Sequence, residues 1–403
     1  MPIKPQRKSP KLFLILSLLI LSLDITFVGM TFYQSKNALI ANFEKEAESQ
    51  HATFQALFNE TTTNMLQIAT FVANDPRIQQ AFLQGKLAVE AEGGGAGKQQ
   101  ASIARNHLLN IVDASWDEIA KKFTARQLHF HLGPGSTSFL RVHKPAKFGD
   151  NMDDVRYTIV DANKYLKPIS GFETGRVYSG IRGVLPVFAF ETETNKEVHV
   201  GAVESGTSYH GMINNLARTL DINIAVLLTM AHIQENVWPD FLEKRLAKTP
   251  PFGGFVVEET TSLDYVNILD PSKIQSQFSS HKISSIFLDD QFYTISRIPL
   301  RDYRGVLNPA IKHAGEVVFW KDATASYNIF IKNLKANLLY AGIGFMLFEM
   351  LLYFGLCKTT KNLNKIISRQ TTQLLEEIAL KDAKELELKK FSLAVEQSPA
   401  VIL

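Results

Sequence analysis

Histidine and arginine side chains recur at alternate positions along two short stretches in the first half of the chain. His129 and His131 alternate with apolar residues, and so do Arg141 and His143. Alternate residues of a β-strand share a face, so we expect each pair to point to one side of a sheet. A Gly-Pro-Gly-Ser sequence at residues 133–136 predicts a hairpin that brings the four side chains together.

A cluster of this kind favours the binding of a small anion. Arginine binds a carboxylate through two parallel N–H groups, and histidine adds a further donor or a positive charge. Arg182 and Arg176 are predicted to join from the next strands, while Asp150 and Glu173 would bind an amino group or hold the arginines. The predicted ligand-binding residues are His129, His131, Arg141, His143, Asp150, Glu173 and Arg182, with Phe130, Phe172 and Tyr178 as aromatic walls.

Other interpretations of these residues remain open. Arg141 could instead form a structural salt bridge with Asp150 or Glu173. The histidines at 129, 131 and 143 could bind zinc, although no cysteine and no evident carboxylate completes that set of ligands. The sequence has no Gly-x-Ser-x-Gly and no His-Glu-x-x-His motif, so we predict no catalytic residues. We also predict no metal and no cofactor.

The elements that must position this cluster are two successive mixed α/β units. The two units repeat in the order of their elements rather than in their residues. The predicted strands are residues 126–132, 138–144, 168–173, 179–190 and 197–205 in the first unit, and 222–229, 254–259, 282–289, 291–300 and 316–320 in the second. The predicted helices are residues 102–122, 153–165, 209–220 and 241–248.

A long helix is predicted to precede both units. Apolar residues spaced by three and four between Phe54 and Val72 indicate one packed helical face. The sequence Asn74-Asp75-Pro76 then predicts the end of the helix, because the residue before a proline disfavours the helical conformation.

Two apolar stretches, residues 12–33 and 338–357, are each long enough to cross a hydrocarbon core about 30 Å thick. Basic residues precede the first and follow the second, which by the positive-inside rule places both chain ends in the cytoplasm and residues 34–336 outside. These basic residues are Lys4, Arg7, Lys8, Lys11, Lys358, Lys361, Lys365 and Arg369. A cleaved signal peptide is the alternative for the first stretch, but no site of small residues follows it.

The charged residues Asp24 and Glu349 interrupt these apolar stretches. Because charge is costly in lipid, we expect both to face the interior of a dimeric four-helix bundle or, alternatively, to reach the membrane edge. The formal net charge of the whole chain is only +3, from 43 basic and 40 acidic residues, which does not indicate nucleic-acid binding. Cys357 is the single cysteine and excludes an internal disulfide.

In its order of elements the chain resembles the double Cache sensory domains, over about residues 35–330. The motifs that carry the resemblance are residues 128–132, 138–144, 148–150, 170–171 and 180–183, which are similar to the subfamily found in two-component sensor kinases and related receptors. The resemblance implies an extracytoplasmic sensor that binds a small molecule in a distal unit, residues 75–208, above a proximal unit, residues 221–322.

The end of the chain is predicted to be a cytoplasmic signalling helix, residues 358–390, followed by residues 391–403, which resemble the opening of a PAS domain. That resemblance implies a fragment or truncated product of a longer sensor. The part beyond it would be a histidine kinase or a diguanylate cyclase.

We therefore expect an α+β fold, with a long N-terminal helix and two Cache units between two transmembrane helices, preceded by a cytoplasmic segment, residues 1–11. The expected function is sensing of a small ligand, a carboxylate or another small anion, at the bacterial inner membrane. The other expected partner is a second copy of the chain in a homodimer. A membrane-anchored periplasmic metal-dependent hydrolase and a partner-binding ectodomain are the alternatives.

Overall fold

The computed structural model describes residues 10–270, 272 and 278–396. Ala38–Tyr327 forms one compact unit, and the helical end segments of the chain form another. The predicted basic residues Lys4, Arg7 and Lys8 lie outside the described residues, as do positions 397–403 of the predicted PAS opening.

The long first helix is present, and its end is where the sequence places it. Helix α1 spans Pro10–Ala73, and helix α2 begins directly afterwards at Pro76. The Asp75 side chain accepts a hydrogen bond from the backbone N–H of Arg77, and Pro76 occupies the first turn of α2. Both features are favoured at helix N-termini, because they satisfy or remove N–H groups that have no partner within the helix.

The first sheet carries the predicted cluster. Its strands are β1 (Gln127–Leu132), β2 (Thr137–Arg141), β3 (Ile169–Thr174), β4 (Ser179–Glu191) and β5 (Lys196–Thr207), in the antiparallel order β2-β1-β5-β4-β3. Helices α2 (Pro76–Ala91), α3 (Gln99–Phe123) and α4 (Tyr157–Tyr165) accompany it. We call this sheet and its helices the first module.

The second module repeats this arrangement. Its strands are β6 (Asn223–Thr229), β7 (Phe255–Thr260), β8 (Ile283–Leu288), β9 (Gln291–Leu300) and β10 (Gly315–Asp322), in the order β7-β6-β10-β9-β8. Its helices are α5 (Tyr209–Leu220), α6 (Met230–Asn236), α7 (Pro239–Lys248), α8 (Tyr265–Ile268) and α9 (Tyr303–Leu307). In both modules the first strand pairs with the second and the last. The α+β fold class predicted from the sequence is therefore confirmed.

The two faces of the first sheet have different roles. On one face, Leu128 and Phe130 of β1 pack in an apolar core with α2 and α3, where the rings of Phe82 and Phe130 lie 5.3 Å apart. On the other face, α4 packs through Ile159 against Val184. The histidines of β1 alternate with these apolar residues, so they lie on the α4 side.

The second module packs against α1. Phe54 of α1 lies in an apolar core with the residues of β6, β10 and α5, and its ring contacts that of Phe319 at 5.6 Å, edge to face. The packed face predicted for α1 is thus used inside the compact unit.

Two helices are long and apolar enough to cross a membrane. Windows of 18 residues within Lys11–Ala73 and Thr324–Glu396 reach mean hydropathies of 2.4 and 1.7. Helix α10 runs without a break over Thr324–Glu396, so residues 391–396 are helical. Among these end segments, the Oγ of Ser17 donates a hydrogen bond of 2.5 Å to Glu349.

Candidate functional site

The candidate site is built around Glu204, a carboxylate near the C-terminal end of β5 with no exposed surface. Arg182 Nη1 donates to Glu204 Oε1 at 2.7 Å, and Arg156 Nη2 contacts both carboxylate oxygens. Burial alone would raise the pKa of Glu204, but the two guanidinium groups outweigh it and hold that pKa well below its usual range.

A second buried carboxylate, Glu173, balances the charge of this group. Its Oε2 lies 3.6 Å from Arg156 and 3.7 Å from Arg182. Thr158, in the first turn of α4, donates to it through both its backbone N–H and its hydroxyl, each at 3.0 Å. Burial is the largest influence on Glu173 and raises its pKa. Two carboxylates therefore face two guanidinium groups in the interior.

His129 and His131 complete this group, with ring centroids 3.7 Å apart. The Nε2 of His131 lies 3.4 Å from Glu204 Oε2, and its Nδ1 lies 3.1 Å from the Ser136 carbonyl oxygen. The Nδ1 of His129 lies 3.8 Å from Glu204 Oε2, and its Nε2 lies 2.8 Å from the Ser138 hydroxyl. Burial lowers the pKa of both imidazoles. We call the six residues His129, His131, Arg156, Glu173, Arg182 and Glu204 the Glu204 cluster.

Neighbouring loops fix the cluster in place. Asp153 accepts hydrogen bonds from the backbone N–H and the hydroxyl of Ser136, at 2.6 and 2.7 Å. Asn163 of α4 donates to the Gly135 carbonyl at 2.6 Å. These contacts hold the β1–β2 turn against α4, so Arg156, the residue before α4, is aimed at Glu204.

A cavity of about 440 Å³ adjoins the cluster. Its wall includes His129, Arg156 and Arg182, together with Arg141, His143 and Asp150. Tyr178 from the β3–β4 loop and Trp238 and Phe241 from the second module supply apolar surface. Neither His131 nor Glu173 lines the cavity, because both lie deeper in the Glu204 cluster.

Arg141 at the cavity is already paired. It forms a two-pronged salt bridge with Asp150, at 2.8 and 2.7 Å, and donates to the Lys147 carbonyl at 3.0 Å. Of the alternatives left open for Arg141, the structure therefore contains the structural salt bridge with Asp150. The Nδ1 of His143 lies 3.3 Å from the Leu128 carbonyl, and burial lowers the pKa of His143 to about 4.

The predicted strand 138–144 is longer than the observed one. Strand β2 ends at Arg141, and the N–H of Lys144 bonds to the Arg141 carbonyl at 3.0 Å to close a turn. His143 thus reaches the cavity from a turn, and the shared strand face predicted for Arg141 and His143 is wrong.

Two of the predicted aromatic walls are also wrong. Phe130 packs on Phe82 on the opposite face of the sheet, and Phe172 packs on Tyr209 at 5.3 Å. Tyr178 does line the cavity.

Sequence reasoning missed Glu204 and Arg156. The sequence did carry one signal for Glu204. It is a lone charged residue that follows the apolar residues Ala202 and Val203 near the end of a predicted strand. Arg156 had none, because it precedes a short helix and reaches the cluster only through the packing of α4.

A larger cavity, of about 980 Å³, lies beside the second sheet, but two of its arginines already have protein partners. Arg301 Nη1 donates to the carbonyl oxygens of Gly305, Pro309 and Ile311, and Arg297 pairs with Glu316 at 3.4 Å. In contrast, Arg156 Nε and Nη1 and Arg182 Nε are buried without a hydrogen-bond partner among the described residues. Unpaired buried donors are costly, so the smaller cavity is the better candidate site.

Comparison with known proteins identifies the family. The profile of a family described as "Double sensory domain of two-component sensor kinase" matches residues 40–327. No curated protein matches the chain.

Several solved structures are similar at low identity. The sensor domain of the Vibrio cholerae histidine kinase DctB is 13% identical, covers 70% of this chain and 98% of its own, and gives a TM-score of 0.37. The ligand-binding domain of the Campylobacter jejuni chemoreceptor Tlp3 in complex with L-valine is 12% identical, with coverages of 74% and 96% and a TM-score of 0.37. The periplasmic domain of Vibrio cholerae LuxQ is 10% identical, with coverages of 68% and 99% and a TM-score of 0.35. At these values the structures add nothing to the family assignment.

Proposed function

This chain belongs to the family of double sensory domains of two-component sensor kinases, and we propose that its first module is the receptor for a small anionic ligand. The observation that carries the proposal is the charge of the 440 Å³ cavity. Six lysines and arginines line it, and Asp150 is the one carboxylate among the lining residues; the six are Arg141, Lys144, Lys147, Arg156, Arg176 and Arg182. Glu173 and Glu204 offset two of these charges from behind the wall. Such a wall favours a carboxylate or another small anion.

The ligand's anionic group would accept hydrogen bonds from Arg156 and Arg182, whose buried N–H groups include unpaired donors. Arg141 is held rigid by Asp150 and adds positive charge at the rim. Tyr178, Trp238 and Phe241 would cover an apolar part of the ligand. The cavity volume lies within the range of ordinary small-molecule sites, about 300–1,000 Å³.

The sensed state would reach the other side of a bacterial inner membrane through α1 and α10. Both helices contain a stretch apolar enough to span the bilayer, and the positive-inside rule supports cytoplasmic chain ends. The ligand shifts the helices only if it binds one of their arrangements more tightly than the other. We propose that the chain acts as a homodimer. In a longer protein, the helix shift would then regulate a histidine kinase or a diguanylate cyclase.

A thermal-shift screen of the full chain in detergent micelles, with chelator present, tests this function. Organic acids, amino acids and amines are compared, and we expect carboxylates to raise the melting temperature. In Arg141→Gln, the ligand concentration needed for the same rise in melting temperature should increase at least tenfold, because the rim loses one positive charge and Asp150 loses its partner.

Arg245→Gln is the matched control, since Arg245 also forms a half-buried salt bridge, 2.7 Å from Glu258, but does not line the cavity. Equal loss of the ligand effect in both variants, or stabilisation by amines alone, would contradict the anion receptor.

A further inference from the structure

We propose that His129, His131 and Glu204 together bind a divalent transition-metal ion, for which zinc has the best-matched chemistry. Each of the three side chains offers one ligand atom, and these atoms all lie within 4.8 Å of one another. All three residues are buried. This site does not depend on the small ligand proposed above.

The distances suit a zinc ion. Zinc binds imidazole nitrogen and carboxylate oxygen at about 2.0–2.2 Å, which places two donors of a tetrahedral ion roughly 3.4 Å apart. The Nε2 of His131 lies 3.4 Å from Glu204 Oε2, and the Nδ1 of His129 lies 3.8 Å from the same oxygen. Small side-chain rotations would bring both nitrogens to the donor spacing of about 3.4 Å that a tetrahedral zinc ion requires.

The hydrogen bonds of His131 leave a lone pair aimed at a carboxylate. A carbonyl oxygen only accepts, so the contact with Ser136 requires that Nδ1 carry the proton. The Nε2 then has only a lone pair to present to Glu204, and it has no hydrogen-bond partner among the described residues. Two acceptors facing each other in a dry interior need a proton or a metal ion between them, and the second histidine beside the same oxygen favours the metal ion.

The surroundings also match those of metal-binding histidines, which usually donate their other N–H to a carbonyl or carboxylate. The Ser136 carbonyl has this role for His131, and Asp153 fixes Ser136 in turn. For His129, the Ser138 hydroxyl is the outer partner. The zinc set considered from the sequence used His143, but His143 Nδ1 already lies 3.3 Å from the Leu128 carbonyl.

The charges near the site predict a further property of the ion. Arg156 and Arg182 neutralise Glu204 and Glu173, so a divalent ion leaves the interior with excess positive charge. An anion in the adjacent cavity, which His129 lines, would offset that charge. We therefore expect the ion to bind more tightly when a carboxylate is present.

The test uses the full chain, without a histidine tag, in detergent micelles after chelator treatment. Zn²⁺ and Co²⁺ are titrated separately, bound metal is counted by mass spectrometry, and the visible absorption of Co²⁺ reports nitrogen ligation. We expect one ion per chain. His131→Gln should weaken binding at least tenfold, as should His129→Gln, because each loses one ligand atom.

His107→Gln is the matched control, since His107 lies on the exposed face of α3. Glu204→Gln is not the principal variant, because it also removes the partner of two buried arginines. Melting curves without metal show whether each variant folds. Wild-type chain that binds no more metal than His131→Gln would overturn the metal site, and would leave a shared proton as the link between His131 and Glu204.

The two proposals fail separately. Stabilisation by a carboxylate in chelator, together with no metal bound in the separate Zn²⁺ and Co²⁺ titrations, would overturn the metal site and leave the receptor. Metal binding that His131→Gln abolishes, with no small-molecule effect on melting, would do the reverse.

Discussion

At the scale of single residues, the Glu204 cluster concentrates buried charge. Two carboxylates and two guanidinium groups lie in the interior, each with at least one oppositely charged neighbour within 4 Å. Replacing one member of such a network leaves an uncompensated charge in a medium that solvates it poorly. Replacement of Glu204 is expected to cost the most stability, because both arginines and both histidines face it.

Glu204→Gln is expected to lower the free energy of unfolding by about 3–5 kcal/mol, because two buried guanidinium groups would share one carboxylate. Chemical denaturation followed by circular dichroism measures the change. Glu259→Gln is the control, since Glu259 pairs with the exposed His210 at 3.1 Å, and a change within about 0.5 kcal/mol is expected there. A Glu204→Gln loss no larger than the control would show that the network contributes little to stability.

His143 is expected to make stability depend on pH. Burial lowers its folded-state pKa from 6.5 to about 4, so below pH 6.5 the unfolded chain binds a proton that the folded chain does not. The resulting loss of stability grows as pH falls from 6.5 and is complete near the folded pKa. In His143→Gln, the melting temperature should fall less steeply as the pH is lowered from 6.5 to 4.

The control for this pH effect is His107→Gln, on the exposed face of α3. It should keep the wild-type slope of melting temperature against pH. His129 and His131 contribute in the same direction as His143, because burial also lowers their pKa values, so a residual slope is expected in the His143 variant. An unchanged slope in that variant would contradict the assignment.

At the scale of elements, α4 connects the cavity to the second module. Arg156 of the Glu204 cluster directly precedes α4. On α4 itself, Asp161 accepts a hydrogen bond of 2.8 Å from the Tyr303 hydroxyl, and Tyr157 lies under the guanidinium of Arg304 at 4.4 Å. Tyr303 and Arg304 belong to α9, which follows β9. A shift of α4 would therefore displace α9 and, through it, the end of β9 in the second sheet.

Tyr303→Phe removes the hydrogen bond between α9 and α4 while it keeps the ring. We expect a stability loss of about 1 kcal/mol, the usual net contribution of a buried hydrogen bond. Hydrogen exchange should rise in α4 and α9 more than in β1 and β5, because the contact between modules is what loosens.

Tyr293→Phe is the matched control, since the Tyr293 hydroxyl donates a hydrogen bond of 2.6 Å to the exposed side chain of Gln291. Its stability should stay within about 0.5 kcal/mol of wild type. Uniform exchange across both modules in Tyr303→Phe would argue against a local link through α4.

At the scale of the whole molecule, both ends of the chain carry helices suited to a membrane. In a Cys357→Ser background, we expect Glu193→Cys, in the exposed β4–β5 turn, to react with an impermeant thiol reagent in intact spheroplasts. Lys365→Cys should react only after lysis, because both chain ends are proposed to be cytoplasmic. Labelling of both positions before lysis would overturn the proposed topology.

The sequence by itself determined the class of fold and most of its elements. Strand alternation, helical spacing and long apolar stretches are local signals, so the strands of both modules, the end of α1 and the apolar helices could be predicted from short windows. The same local rule placed His129 and His131 on one face of β1. It could not fix the ends of elements, and β2 stops three residues early at Arg141 because a turn competes there.

The tertiary structure alone decided which charges meet. His129 lies opposite Glu204 because β1 pairs with β5, whose residues follow about seventy positions later in the chain. Arg156 arrives from the start of α4, and Arg141 is held by Asp150 rather than left for a ligand. Pairing and packing between distant segments depend on the whole core, and no local pattern of residues encodes them.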